Sequence, residues 1–241
     1  MKRHWKQMTG VVALVSVAFG SSAAAQPALQ ERVTAIKQSL EDSKVALRQY
    51  EWIETTIISV KGEEKSRTQQ RCYYGADGKI QKVALAQPAQ QESSGGRRNR
   101  RSGRLRERIV ERKTEQVTEY MQRAVQTVHS YLPPDPALIQ QSKDAGKVMM
   151  QPLDDGRARI TLGDYLRPGD VLSVELDLAA NRILALGVET YIEDAEDAVS
   201  FTVTFGELDS GVSYQSEIVL DAPSQNVTVT VQNSGYRRLT P

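Results

Sequence analysis

The feature that most constrains this chain is its stretch over residues 147–236, a train of β-rich segments joined by turns too short to carry a crossover. Val148–Pro152, Ala158–Leu162, Val171–Leu178, Arg182–Ile192, Val199–Leu208, Val212–Leu220 and Val227–Gln232 are rich in β-branched residues. Asp-Asp-Gly, Arg-Pro-Gly-Asp, Ala-Ala-Asn, Asp-Ser-Gly and Ala-Pro-Ser turns lie between them. Links that short place sequential strands side by side and antiparallel. Val227-Thr228-Val229-Thr230-Val231 alternates apolar and polar, which predicts a sheet with one face buried and one wetted.

The N-terminal part adds three more strands, Tyr50–Val60, Thr68–Tyr74 and Ile80–Ala86. Gly62-Glu63-Glu64 forms the first turn and Asp77-Gly78 the second, since Asp-Gly tolerates the positive φ of a tight hairpin. Leu29, Val33, Ile36, Leu40 and Leu47 recur at helical spacing over residues 28–47, with Pro27 suited to a first turn. A second helix is expected from about Leu105 to Leu132, with Ile109, Val117, Tyr120, Met121, Ala124, Val125 and Val128 on one face. Proline stops it at Pro133-Pro134. Asp135 caps a short third helix that begins at Pro136 and ends at Gly146. The fold class expected is therefore α+β: a curved, half-barrel-like antiparallel sheet of about ten strands, with about three helices covering one face.

The first 25 residues read differently. Lys2, Arg3 and Lys6 precede the apolar run Val11–Phe19, and Ala23-Ala24-Ala25 is a small-residue cleavage pattern. This is a secretory signal peptide, and the run is about half of the roughly 20 residues a membrane span needs. The alternative is an anchor that is kept. Cleavage after Ala25 leaves residues 26–241 as a single α+β domain, periplasmic or secreted, with 28 basic and 30 acidic side chains and no further apolar run long enough to span.

The resulting arrangement resembles the periplasmic outer-membrane lipoprotein carriers. The signal peptide, the opening helix 28–47, the hairpin Tyr50–Tyr74 and the returning pair Val171–Leu178 and Arg182–Leu186 carry the likeness. It is a likeness of element order. It implies a half-closed sheet holding an acyl chain or a lipidated protein as partner in a covered hollow. Trp52, Ile58, Met121, Val125, Phe201 and Phe205 are the lining residues expected of such a hollow.

Several chemistries find no support. After cleavage one histidine remains, His129, and no Gly-x-Ser-x-Gly elbow accompanies it. One histidine and the single Cys72 are too few for a zinc site, and neither phosphate-binding glycine loop occurs. No enzyme activity and no cofactor are expected. Cys72, between Arg71 and Tyr73, is a small half-buried apolar side chain, a redox thiol or one half of an intermolecular disulfide. Glu193-Asp194-Ala195-Glu196-Asp197 is either an exposed acidic loop or part of a hard-cation site, although its spacing is not that of an EF-hand.

The charge pattern supplies one more candidate. Residues 87–104 form a polar, Arg-rich loop, and residues 97–113 hold eight arginines and one lysine against two glutamates. Either this segment is a solvated loop, or Arg97, Arg98, Arg100, Arg101 and Arg104 contact an anionic lipid or another acidic envelope polymer. No aromatic side chain is interleaved, which argues against nucleic acid. Two function classes follow: an exported carrier of a hydrophobic ligand, or a non-enzymatic envelope protein that holds a partner by its basic segment or a sheet edge.

Overall fold

A computed structural model describes residues 25–85, 100–132 and 134–239. Residues 1–24, which hold nearly all of the expected signal peptide, and most of the polar loop, with Arg97 and Arg98, lie outside the described residues. Three helices, α1 (Ala25–Leu47), α2 (Arg100–His129) and α3 (Pro136–Asp144), accompany one antiparallel sheet. Its strands are β1 (Tyr50–Val60), β2 (Glu63–Tyr74), β3 (Ile80–Ala84), β4 (Val148–Pro152), β5 (Arg157–Gly163), β6 (Val171–Asp177), β7 (Arg182–Tyr191), β8 (Ala198–Glu207), β9 (Ser213–Ala222) and β10 (Val227–Arg238). The α+β architecture of ten strands and three helices is as expected, and the sheet is curved and not closed.

The strand order is β3-β2-β1-β10-β9-β8-β7-β6-β5-β4. Every neighbour is a sequence neighbour except β1 and β10. The chain therefore builds outward from β1 to the β3 edge, crosses by way of α2 and α3 to the β4 edge, and returns strand by strand to β10. Val60 pairs with Val227 and Ile58 with Val229 where the two halves join.

Local differences from the expected elements have local causes. Strand β2 begins at Glu63, not Thr68, because Lys61 and Gly62 both take positive φ (55° and 77°) and turn the chain in two residues. The charged run that follows pairs with β1 directly. Helix α2 begins at Arg100, so Arg100, Arg101 and Arg104 are helical residues and not part of a loop. Asp135 does cap α3: its Oδ1 accepts the Ala137 N–H at 2.8 Å, with Pro136 at the first position.

Helix α2 covers one sheet face through Tyr120, Ala124 and Val128, spaced one turn apart and buried against Val199, Leu220 and Ala222. A second core cluster gathers Tyr131, Leu162, Tyr165, Leu172 and Val188, with Phe201 packed against both clusters. Helix α1 lies against β9 and β7, where buried Ser43 accepts the Ser213 N–H through its Oγ at 3.1 Å.

Within the second cluster sits a buried polar network. Asp170 accepts the backbone N–H groups of Tyr165, Leu166 and Arg167 and the Tyr131 hydroxyl at 2.6 Å, and that hydroxyl also meets Thr190 Oγ1 at 2.7 Å. Burial, reinforced by the hydrogen bond to Asp170, pushes the Tyr131 phenol up to about 12. Tyr120, hydrogen-bonded to Asp197, is likewise pushed up to about 12, again mainly by burial. Both phenols ionise near 10 in the unfolded chain. Their protonated forms therefore support the fold fully below pH 10, and that support is lost as pH rises toward 12. Circular dichroism followed through an alkaline titration should show stability falling across this window. At neutral pH, Tyr131→Phe should lower stability by about 1–3 kcal/mol, since it strips a partner from two buried polar groups.

Candidate functional site

Adjacent to the packed stripe of α2 runs another, Val117, Met121 and Val125, also one turn apart. Met121 also packs against the first core cluster. The three residues roof a cavity of about 850 Å³ whose floor is formed by Ile58 and Val60 of β1, Val227 and Val229 of β10 and Leu220 of β9. The cavity lies over the β1–β10 junction and opens to solvent along Ile58 and Val125, which are 37% and 42% exposed. Eight of its twelve described lining residues are aliphatic or Met, so it offers an apolar ligand dispersion contacts and little hydrogen bonding.

Among the described lining residues one is charged, Lys65. Its place depends on a β-bulge. Ile58 pairs with Ser66, whereas the next residue, Ser59, pairs with Glu64, so Lys65 is the extra residue in β2. In regular alternation Lys65 would face away from Ile58 and Ser66, and a bulge re-aims such a side chain. Lys65 Nζ donates to Glu63 Oε2. That hydrogen bond and the ammonium charge hold the Glu63 carboxyl below its usual range. Gln122, Gln126 and Thr118 supply the remaining polar groups.

Of the six residues expected to line a hollow, Ile58, Met121 and Val125 come together around this cavity. The other three lie elsewhere. Trp52 is buried in an aromatic group, stacked on Tyr236 at 5.5 Å and beside Tyr74 at 5.8 Å, and its indole N–H donates to Asn233 Oδ1. Phe201 belongs to the main core, and Phe205 is half-buried farther along β8, just past the register shift that follows Thr204. Lys65, Leu220, Val227 and Val229 were not among the expected residues. The Val227–Val231 alternation already contained the signal for two of them. Of the arginines expected at an anionic surface, Arg100, Arg101 and Arg104 lie in the first turns of α2, and Arg97 and Arg98 are outside the described residues.

The remaining candidates take structural parts. Cys72 is fully buried, and burial, with Glu54 nearby, pushes its thiol up, which disfavours the reactive thiolate. The acidic stretch after β7 anchors α2. Asp197 Oδ1 accepts the Tyr120 hydroxyl at 2.6 Å and the Ser224 hydroxyl at 2.8 Å, and Glu193 accepts Arg123 Nη1 at 2.5 Å. Among the described residues no group of acidic, His or Cys side chains is arranged to hold a metal ion, and no described helix is long and apolar enough to cross a membrane.

No family model and no curated protein matches the chain. In structure it is similar to a DUF1329 family protein from Desulfovibrio piger, with 12% sequence identity and a TM-score of 0.32, over 84% of this chain and 92% of that one. A likeness of that size says nothing about ligand or activity.

The two stripes of α2 should respond differently to substitution. Ala124→Leu enlarges a fully buried contact and should cost about 1–3 kcal/mol in thermal or urea unfolding. Val125→Ser, on the open side, should stay within about 0.5 kcal/mol.

Proposed function

We propose that this protein is an exported, non-enzymatic carrier that holds a hydrophobic, acyl-type ligand in the cavity between α2 and the β1–β10 junction. The observation that carries this reading is the cavity itself. A volume of about 850 Å³ falls within the roughly 300–1,000 Å³ usual for small-molecule sites. Two thirds of its described lining residues are aliphatic or Met, and the few polar ones can orient a ligand. Export is the part of the proposal that rests on the signal-like N-terminus alone.

A second reading, a partner held along a sheet edge, has one observation in its favour. At the β4 edge Met149 and Met150 are 69% and 57% exposed.

Calorimetric titration with octanoate, decanoate and dodecanoate, each below its micelle concentration, tests the carrier reading. Burial of each methylene stabilises by about 0.8 kcal/mol, so affinity should rise close to fourfold per methylene. Met121→Trp, which pushes a larger, rigid ring from the roof into the cavity, should lower dodecanoate affinity. Absence of binding at every chain length would overturn the reading. Partner capture that survives Met121→Trp would favour the sheet edge.

A further inference from the structure

Building on the carrier reading, we propose that the ligand is a single-chain amphiphile with an anionic head, its tail under α2 and its head at Lys65.

Three observations carry this. Lys65 is the one charged residue among the described residues that line the cavity, so charge on the wall has a single sign. It reaches the cavity through a bulge between Glu64 and Ser66 that interrupts an otherwise regular β1–β2 ladder. A bulge gives up a ladder pairing to redirect a side chain, and here the redirected side chain is the cation. Finally, its ion-pair partner does not occupy the cavity. Glu63 is not a lining residue, and its side chain is 75% exposed against 52% for Lys65. An ion pair that exposed holds weakly, so an incoming anion can share or take the ammonium at little cost.

Gln122 and Gln126, one turn apart on α2 beside the apolar stripe, are neutral and leave Lys65 as the group that distinguishes one head from another. A carboxylate and a phosphate monoester present the same chemistry to Lys65. A cationic head meets repulsion there, and a neutral head has nothing to gain from the charge.

The test compares decanoate, decyl phosphate, decanol and decyltrimethylammonium by calorimetry on the intact protein, each below its micelle concentration. Decanoate or decyl phosphate should bind roughly two- to fivefold more tightly than decanol, the range of an exposed ion pair, and decyltrimethylammonium more weakly than decanol. Whichever anion shows the larger preference identifies the head, a fatty acid or a phosphate ester. Lys65→Gln should bring the anion-to-alcohol ratio to near one, and Glu63→Gln should raise it. In the unmodified protein the ratio should shrink between 20 mM and 500 mM NaCl, a readout that needs no variant to fold. Equal binding of anion and alcohol, or a ratio unchanged in Lys65→Gln, would overturn this inference and leave the carrier reading in place. No binding by any of the four would overturn both.

Discussion

The pairing of β1 with β10 is the contact on which the rest of the molecule depends. Every other junction in the sheet joins strands adjacent in sequence, and such hairpins form at small entropic cost. β1 and β10 are brought together from opposite ends of the chain, and closing so long a loop requires contacts that hold. They are found at both ends of the seam. Val60 faces Val227 and Ile58 faces Val229 at one end. At the other, Glu51 accepts Arg237 Nε at 2.8 Å, Trp52 donates to Asn233, and a bulge at Gly235 (φ 63°) lets Tyr236 stack on Trp52. Without this seam the three-stranded and seven-stranded parts would be separate sheets, each with an additional raw edge.

The same seam explains where the cavity is. Because β3 and β4 are the two edges, the chain must travel from one to the other, and it does so as helices across one face. Helix α2 can pack closely on only part of what it crosses. Its Tyr120–Ala124–Val128 stripe takes β8 and β9, with Ala124 allowing close approach. The neighbouring stripe is left above β1 and β10, where the cavity lies between helix and sheet. The apolar side chains over the junction thus join the two halves of the sheet and also form the floor of the cavity that α2 roofs.

The strand train after residue 147 was legible because period-two patterning and Asp-Gly-type turns are local. So was the opening helix, and α3, with its Asp135–Pro136 start. The candidate site was legible only in part. Met121, Val125 and Ile58 follow from helical and strand periodicity combined with an expectation of a hollow. Trp52 and Phe201 carry large aromatic side chains, which are equally at home in a packed core, and that is where both lie. Lys65 could not have been found. Its orientation comes from a bulge, and a bulge depends on how β2 registers against β1, which no local pattern encodes. Likewise Glu193 and Asp197 read as a solvated acidic loop because their partners, Arg123 and Tyr120, are about seventy residues upstream.

What keeps the cavity from closing is polar. A helix that lies over unfilled apolar space is drawn toward the sheet, since collapse would restore lost dispersion contacts. Beside the exposed Arg123–Glu193 pair, which adds little, the position of α2 is fixed at two points that such a shift would disturb: Tyr120 to Asp197 and Ser224, and, just past its end, Tyr131 to Asp170 and Thr190. Both involve buried hydroxyls with short, well-placed partners, and leaving such groups unpaired costs about as much as one or two methyl contacts recover. Asp170 is itself held by three backbone N–H groups, so it cannot follow a moving helix. The hydroxyl network thus sets the height of α2 above the junction, and the open volume beneath it is a consequence of where those tyrosines are tied.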